Sequence, residues 1–169
     1  LRQKELSSPH CPGLAINLSA EAVSHTGARE DFITALQTHR ALAHRLWIDV
    51  QESTALRHPV EFRMLCIALH ALGCKVGLKH AGRDFARFAD MHELGLDYIK
   101  LSAAFIRDID ANAGKQVFVR GVCTLAHSIG LKVIAEGVGN DAERTALASL
   151  GVDGMTGPGV SAGNGENTP

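Results

Sequence analysis

The sequence has no run of about 18 or more apolar residues, so it offers no candidate membrane-spanning helix. It has no excess charge of either sign: 17 Lys and Arg stand against 18 Asp and Glu, a formal net charge of −1. That balance excludes a strongly basic nucleic-acid-binding domain, and with it DNA as the expected partner. It has only four cysteines, Cys11, Cys66, Cys74 and Cys123, with no CxxC pair and no metal-finger spacing, which predicts free thiols in a reducing cytoplasm. No GxGxxG follows the first β-rich run, which weighs against a dinucleotide-binding fold. There is no signal-peptide pattern either. The chain opens on Leu1 in a polar stretch, and the expectation is that it is a piece of a longer protein.

What is present is ample for a core. The 169 residues are 46% hydrophobic and 21% charged, the profile of one soluble domain, and disorder is excluded. The nine histidines are dispersed. His39 and His44 stand five apart on a helical stretch, which does not align them on one face, so a surface placement is expected.

Short β-rich runs fall at Leu14–Leu18, Leu46–Val50, Lys75–Leu78, Tyr98–Leu101, Lys132–Ala135 and, more weakly, Val152–Thr156. Between them lie stretches of helical period. Phe62, Leu65, Cys66, Leu69 and Leu72 share one face, and Phe118, Val122, Leu125, Ala126 and Ile129 another. Gly73, Gly130 and Gly151 follow the last apolar residue of their helices, where a left-handed C-terminal residue is expected. Strands alternating with helices argue for parallel βα units, and six fit. A doubly wound sheet and a (β/α)8 barrel share this pattern, and a complete barrel needs about 250 residues. The Gly- and Asn-rich segment 162–169 reads as a disordered tail, which leaves residues 1–161 as the domain.

Polar residues sit at the C-terminal end of each β-rich run: Asn17, Asp49 with Glu52, Lys79 with His80, Lys100, Glu136 and Thr156. In parallel α/β folds the loops that open at those ends form the functional face, so residues recurring there point to a shared pocket.

In chain order these segments resemble the EAL domain, the bacterial cyclic di-GMP phosphodiesterase fold. Leu14-Ala15-Ile16-Asn17-Leu18-Ser19 resembles its VNLS strand, and Leu46 to Ser53 its LxLExTES segment. Val76 to Phe88 occupies the place of ALDDFGTGYSSL. Tyr98-Ile99-Lys100-Leu101 resembles IKID, Val133 to Val138 resembles VIAEGVE, and Leu150 to Ser161 fits the closing LGCDxxQGYxxS element. The resemblance implies a modified TIM (β/α)8 barrel of which this chain supplies about the last six βα units. The family's first two strands, one of them carrying the EAL signature, are then absent. An open barrel leaves strand edges unpaired, so pairing with another chain, a homo-oligomer, is expected.

Active members of the family hydrolyse a phosphodiester with two Mg²⁺ or Mn²⁺ ions, which activate the attacking water and neutralise the phosphate. By resemblance Asn17 keeps the Asn ligand, Asp49 shortens a Glu ligand, and Glu136 keeps the Glu of AEGVE. The paired aspartates of DDFG read Lys79-His80 here. An ammonium about 4 Å from a divalent ion is repelled by roughly 8 kcal/mol at an effective dielectric near 20. Ser102 replaces the Asp of IKID, Gly139 the second Glu of AEGVE, Thr156 the Gln of QGY and Pro158 its Tyr. The expectation is a degenerate domain without hydrolysis, without a resident cofactor, and with cyclic di-GMP as its ligand.

In that reading Lys79, His80 and Lys100 form a cationic floor for phosphate. Asn17 and Glu136 hydrogen-bond the ligand, Pro158 lies against a guanine face, and Asp49, Glu52, Thr156 and Gly157 belong to the same pocket. The tracts Gly77 to Arg83 and Thr156 to Gly159 look most like the membrane-anchored GGDEF–EAL receptors that control retention of biofilm adhesins. A cytoplasmic signal-transduction module results, the cytoplasmic part of any membrane-anchored parent, with other domains of that parent such as a GGDEF domain as partners. Each residue also has a plainer role. Asn17 can end a strand, Asp49 and Glu52 can pair with a cation, and Lys100 can sit in a buried salt bridge to Asp49 or Glu136. Arg83, Asp84 and Arg87 read as a solvated helix face, and Phe85 and Phe88 as core. Two other functions compete with the receptor: an active metal-dependent phosphodiesterase using Mg²⁺ or Mn²⁺, and an interaction module that has lost its ligand.

Overall fold

A computed structural model describes residues 13–82 and 93–160. The chain divides into two compact units, Leu1–Tyr98 and Ile99–Pro169. Cys11, the segment holding Arg83, Asp84, Phe85, Arg87 and Phe88, and the 162–169 tail lie outside the described residues.

In the first unit the strands β1 (Leu14–Asn17), β2 (Leu46–Gln51) and β3 (Lys75–Ala81) run parallel. Two short helices, α1 (Ala20–Ser24) and α3 (Arg40–Ala43), flank the longer α2 (Thr26–Thr38) between β1 and β2. The turn α4 (Glu52–Arg57) and the helix α5 (Pro59–Ala71) connect β2 to β3. Pro59 opens α5 at its first turn, where a missing N–H costs nothing. Phe62, Leu65, Cys66 and Leu69 bury its inner stripe. Leu46, Ile48 and Val50 of β2 and Val76 and Leu78 of β3 are almost fully buried, and α4 and α5 pack on these strands. Strand period then leaves Trp47, Asp49 and Gln51, with Gly77 and Lys79, on the opposite face. β4 (Tyr98–Leu101) begins on the last residue of this unit.

The second unit continues from β4 through α6 (Ala103–Ile106), α7 (Ala113–Ser128), β5 (Lys132–Glu136), α8 (Asp141–Leu150) and β6 (Gly154–Thr156). β5 and β6 are parallel, with Glu136 in register with Thr156. The Asn112 and Asn140 side chains cap α7 and α8 by accepting from Lys115 N and Glu143 N. Gly73, Gly130 and Gly151 take positive φ as expected.

The βα alternation and all six strands agree with the sequence reading, with three corrections. β3 runs on to Ala81, so Lys79 and His80 lie within the strand rather than after it. The buried stripe of α7 is Val119, Val122, Cys123 and Ala126, while Leu125 and Ile129 are exposed. Apolar residues lie nearly all round this helix, so its period left the stripe's centre open by one residue, about 100°. Asn17 does end β1 but is exposed, since β1 pairs with β2 alone among the described strands. His39 and His44 are exposed, as expected. Cys66, Cys74 and Cys123 are free and buried. Burial pushes their thiols up to about 12, 11 and 11 respectively, which keeps them protonated and unreactive at neutral pH. Among the described residues no helix is long and apolar enough to cross a membrane.

Candidate functional site

The strand register brings part of the expected set together. Asn17 lies beside Asp49, Asp49 beside Gly77, and Gln51 beside Lys79. In parallel strands, residues in register share a face, so Asn17, Asp49 and Lys79 rise from one surface of the first unit at the C-terminal ends of its strands. Asp49 is 3% exposed and Glu52 4%. Carboxylates this buried must be hydrogen-bonded. Asp49 Oδ1 accepts the Tyr98 hydroxyl at 2.7 Å, and Glu52 Oε1 accepts the Gly82 amide at 3.1 Å. Glu52 therefore ties the start of α4 to the turn after β3. Lys79 is half-buried and His80 exposed. His80 holds φ at 58°, a left-handed conformation unfavourable for a side chain with a Cβ.

The second unit carries the remaining residues. Lys100 is 7% exposed within β4. Glu136 is half-buried at the end of β5, in register with the exposed Thr156. Backbone binds the two ends together: the Thr156 carbonyl accepts from Gly137 N at 2.8 Å and Val138 N at 3.0 Å, and the Val138 carbonyl accepts from Gly159 N at 2.8 Å. A Cβ on Gly157 would overlap the Val138 backbone, so Gly157 is needed for this close approach whatever else it does. Pro158 is exposed beside it. Ser102 caps α6 by accepting from Ala104 N.

Four residues outside the expected set, Trp47, Gly77, Tyr98 and Glu143, shape these surfaces. Tyr98 bonds Asp49 and lies 4.9 Å, ring centroid to centroid, from Trp47. Its ring passes over Gly77 so closely that a Cβ there would overlap it. No sequence pattern marks that contact, because it joins residues far apart in the chain. Glu143, 3% exposed, accepts Asp108 N and Gly139 N, each at 2.7 Å. Asn140-x-x-Glu143 has capping-box spacing and marks the helix start, but Glu143 bonds the amide of Gly139, one residue before the cap, so the spacing does not signal this clamp. The Gly139 amide is the first bond, and with the Asp108 amide and the nearby Arg107 and Lys115 it holds the carboxyl below its usual range against the effect of burial. Among the described residues no three His, Cys, Asp or Glu side chains gather as a metal site.

Comparison with known proteins accounts for this order of strands and polar ends. The chain is 32% identical over 143 residues to the cyclic di-GMP phosphodiesterase PdeF of Escherichia coli, covering 85% of this chain and 19% of that protein. It is 26% identical over 144 residues to MucR of Pseudomonas aeruginosa, a bifunctional diguanylate cyclase/cyclic di-GMP phosphodiesterase, covering 85% and 21%. The chain thus spans about a fifth of the length of these relatives. The MucR phosphodiesterase structure in complex with c-di-GMP superposes with a TM-score of 0.77 over 86% of this chain and 64% of that one, at 26% identity. The apo S helix-GGDEF-EAL structure of Vibrio cholerae LapD gives 0.83 over 92% and 38%, at 21% identity, a likeness of fold. These superpositions establish the fold as part of a TIM-like (β/α)8 barrel. The EAL domain profile matches residues 1–162, nearly the whole length, and this chain belongs to the EAL domain family.

Proposed function

We propose that the chain is a catalytically degenerate EAL domain that binds cyclic di-GMP and relays its presence to other domains of a larger signalling protein. The observation that carries this reading is the position of Lys79. The Gln51–Lys79 register puts a cation on the face that also holds Asn17 and Asp49. A lysine there suits a phosphate and opposes a divalent cation. Asp49 Oδ1 accepts from the Tyr98 hydroxyl and Glu52 Oε1 from the Gly82 amide, bonds that a metal-ligating carboxylate makes equally well, so the case against a metal pair rests on the cation at Lys79. The family's metal chemistry therefore has no place in this reading. The proposed ligand set is Lys79, His80 and Lys100 for phosphate, Asn17 and Glu136 for hydrogen bonds and Pro158 for a guanine face, with Asp49, Glu52, Thr156 and Gly157 in the same set. The c-di-GMP complex of MucR, 26% identical to this chain, supports the choice of ligand. The likeness to PdeF favours the competing reading, an active phosphodiesterase.

Calorimetric titration of the intact protein with cyclic di-GMP in EDTA separates the two. Saturable binding and no linear dinucleotide after Mn²⁺ addition is the expected result. Turnover on Mn²⁺ addition would make the protein an enzyme. Absence of binding in either buffer would leave a docking module.

A further inference from the structure

We propose that Tyr98 is a positioning residue for the nucleotide site, acting through Asp49. The inference rests on the ligand-binding reading above and adds to it how the site keeps its shape without a cation. Asp49 sits mid-face, flanked in register by Asn17 on one side and Gly77 on the other. Tyr98, on β4, reaches it by laying its ring across Gly77, the one position of β3 on that face where any Cβ would collide with the ring. The hydroxyl then donates to Asp49 Oδ1 at 2.7 Å, a charge-assisted bond in a buried setting where such bonds are strongest. The Trp47 ring, 4.9 Å from the tyrosine ring at 46°, braces it from the same strand as Asp49. Tyr98 is itself fully buried. Three features of the sequence, an aromatic at 47, no side chain at 77 and a hydroxyl at the tip of residue 98, thus converge on one carboxylate oxygen. A side chain fixed in this way presents its neighbours to a ligand without having to be ordered on binding, which is where preorganisation gains affinity.

The test is a double-mutant cycle on the intact protein, with cyclic di-GMP in EDTA as the probe and Trp47, the only tryptophan in the sequence, as the fluorescent reporter. Tyr98→Phe keeps the ring over Gly77 and removes only the hydroxyl. It is expected to weaken binding about tenfold, the scale of one charge-assisted hydrogen bond. Asp49→Ala is expected to weaken it at least as much, and the double variant no more than Asp49→Ala alone, since the hydroxyl acts only through the carboxylate. Thermal melts of each variant separate positioning from stability. Wild-type affinity in Tyr98→Phe, or losses that add in the double variant, would overturn the proposal while leaving the ligand-binding reading intact. A wild-type protein that fails to bind in EDTA would overturn both.

Discussion

Glu143 reaches back four residues to accept the Gly139 amide at 2.7 Å, and its second oxygen accepts the Asp108 amide at the same distance. One carboxylate therefore fixes the loop after β5 and a turn in which Asp108 itself has a positive φ of 57°. Gly139 stands where the family pattern has a glutamate, and a Cβ there would lie 3.3 Å from Glu143 Oε2, so the small residue at 139 suits the carboxylate at 143. Glu143→Ala strands two amides and is expected to cost about 2–4 kcal/mol in urea denaturation, while Glu143→Gln, which keeps one acceptor, costs about 1–2. Because the folded carboxyl is held below its usual 4.5, its contribution is complete above that pH and is lost as pH falls through the lower folded value. A Glu143→Ala variant as stable as wild type at pH 7 would refute the clamp.

Asp97 and Asp153 make the same clasp twice. Asp97 Oδ2 accepts Val76 N and bonds His70 Nε2, each at 2.8 Å, with Lys75 Nζ on Oδ1 at 2.8 Å. Asp153 Oδ2 accepts Val133 N at 2.7 Å and bonds His127 Nε2 at 2.8 Å. Burial raises both carboxyls, but Lys75, the Val76 amide and His70 in one case, and the Val133 amide, His127 and Lys132 in the other, outweigh it and hold them below 3.8. Asp97→Asn and Asp153→Asn are each expected to lose about 1–2 kcal/mol at pH 7. A depressed folded value means that stability is present above the unfolded pKa and lost as pH falls through the folded one, so the difference from wild type should shrink as the pH falls below 3.8 and through the folded value. Urea titrations at pH 7 and at a series of acid pH values below 3.8 measure it, and a difference independent of pH would assign the effect to packing.

That repeated clasp also shows what was legible. His70-Ala71-Leu72-Gly73-Cys74-Lys75-Val76 and His127-Ser128-Ile129-Gly130-Leu131-Lys132-Val133 are one pattern, as are Leu94-Gly95-Leu96-Asp97 and Leu150-Gly151-Val152-Asp153. Gly73, Gly130 and Gly151 in these tracts mark the helix ends, because their signal is local. Strand period likewise put Asn17, Asp49 and Lys79 at strand ends. The Tyr98–Asp49 bond and the ring over Gly77 were not legible, since they depend on which strand lies beside which. The buried stripe of α7 was misplaced because Val117, Phe118, Leu125 and Ile129 are as apolar as the residues it buries.

His80 is expected to trade stability for function. Its left-handed backbone favours glycine, so His80→Gly should gain about 0.5–1 kcal/mol after allowing for the greater freedom of glycine in the unfolded chain. The same change removes a cationic or donor group from the proposed phosphate floor, and affinity for cyclic di-GMP should fall severalfold. Parallel urea and nucleotide titrations check both. Lower stability would mean that the imidazole supports the fold and that its strain is repaid elsewhere.

The charge argument at Lys79 has its own reversal. Changing Lys79 and His80 together to aspartate replaces the cation on the Asn17–Asp49 face with a carboxylate, the ligand type that hard divalent ions require, and adds a second carboxylate at the next position of β3. Saturating Mn²⁺, about a hundredfold above its dissociation constant, would then stabilise the folded state by roughly 2.7 kcal/mol and raise Tm by about 5–10 °C. The wild-type protein should show no such shift. Metal-free nucleotide binding should weaken in the double variant, because the phosphates would face carboxylates in place of the ammonium. If Mn²⁺ leaves the melt of the double variant unchanged, charge at position 79 is not what keeps a metal out.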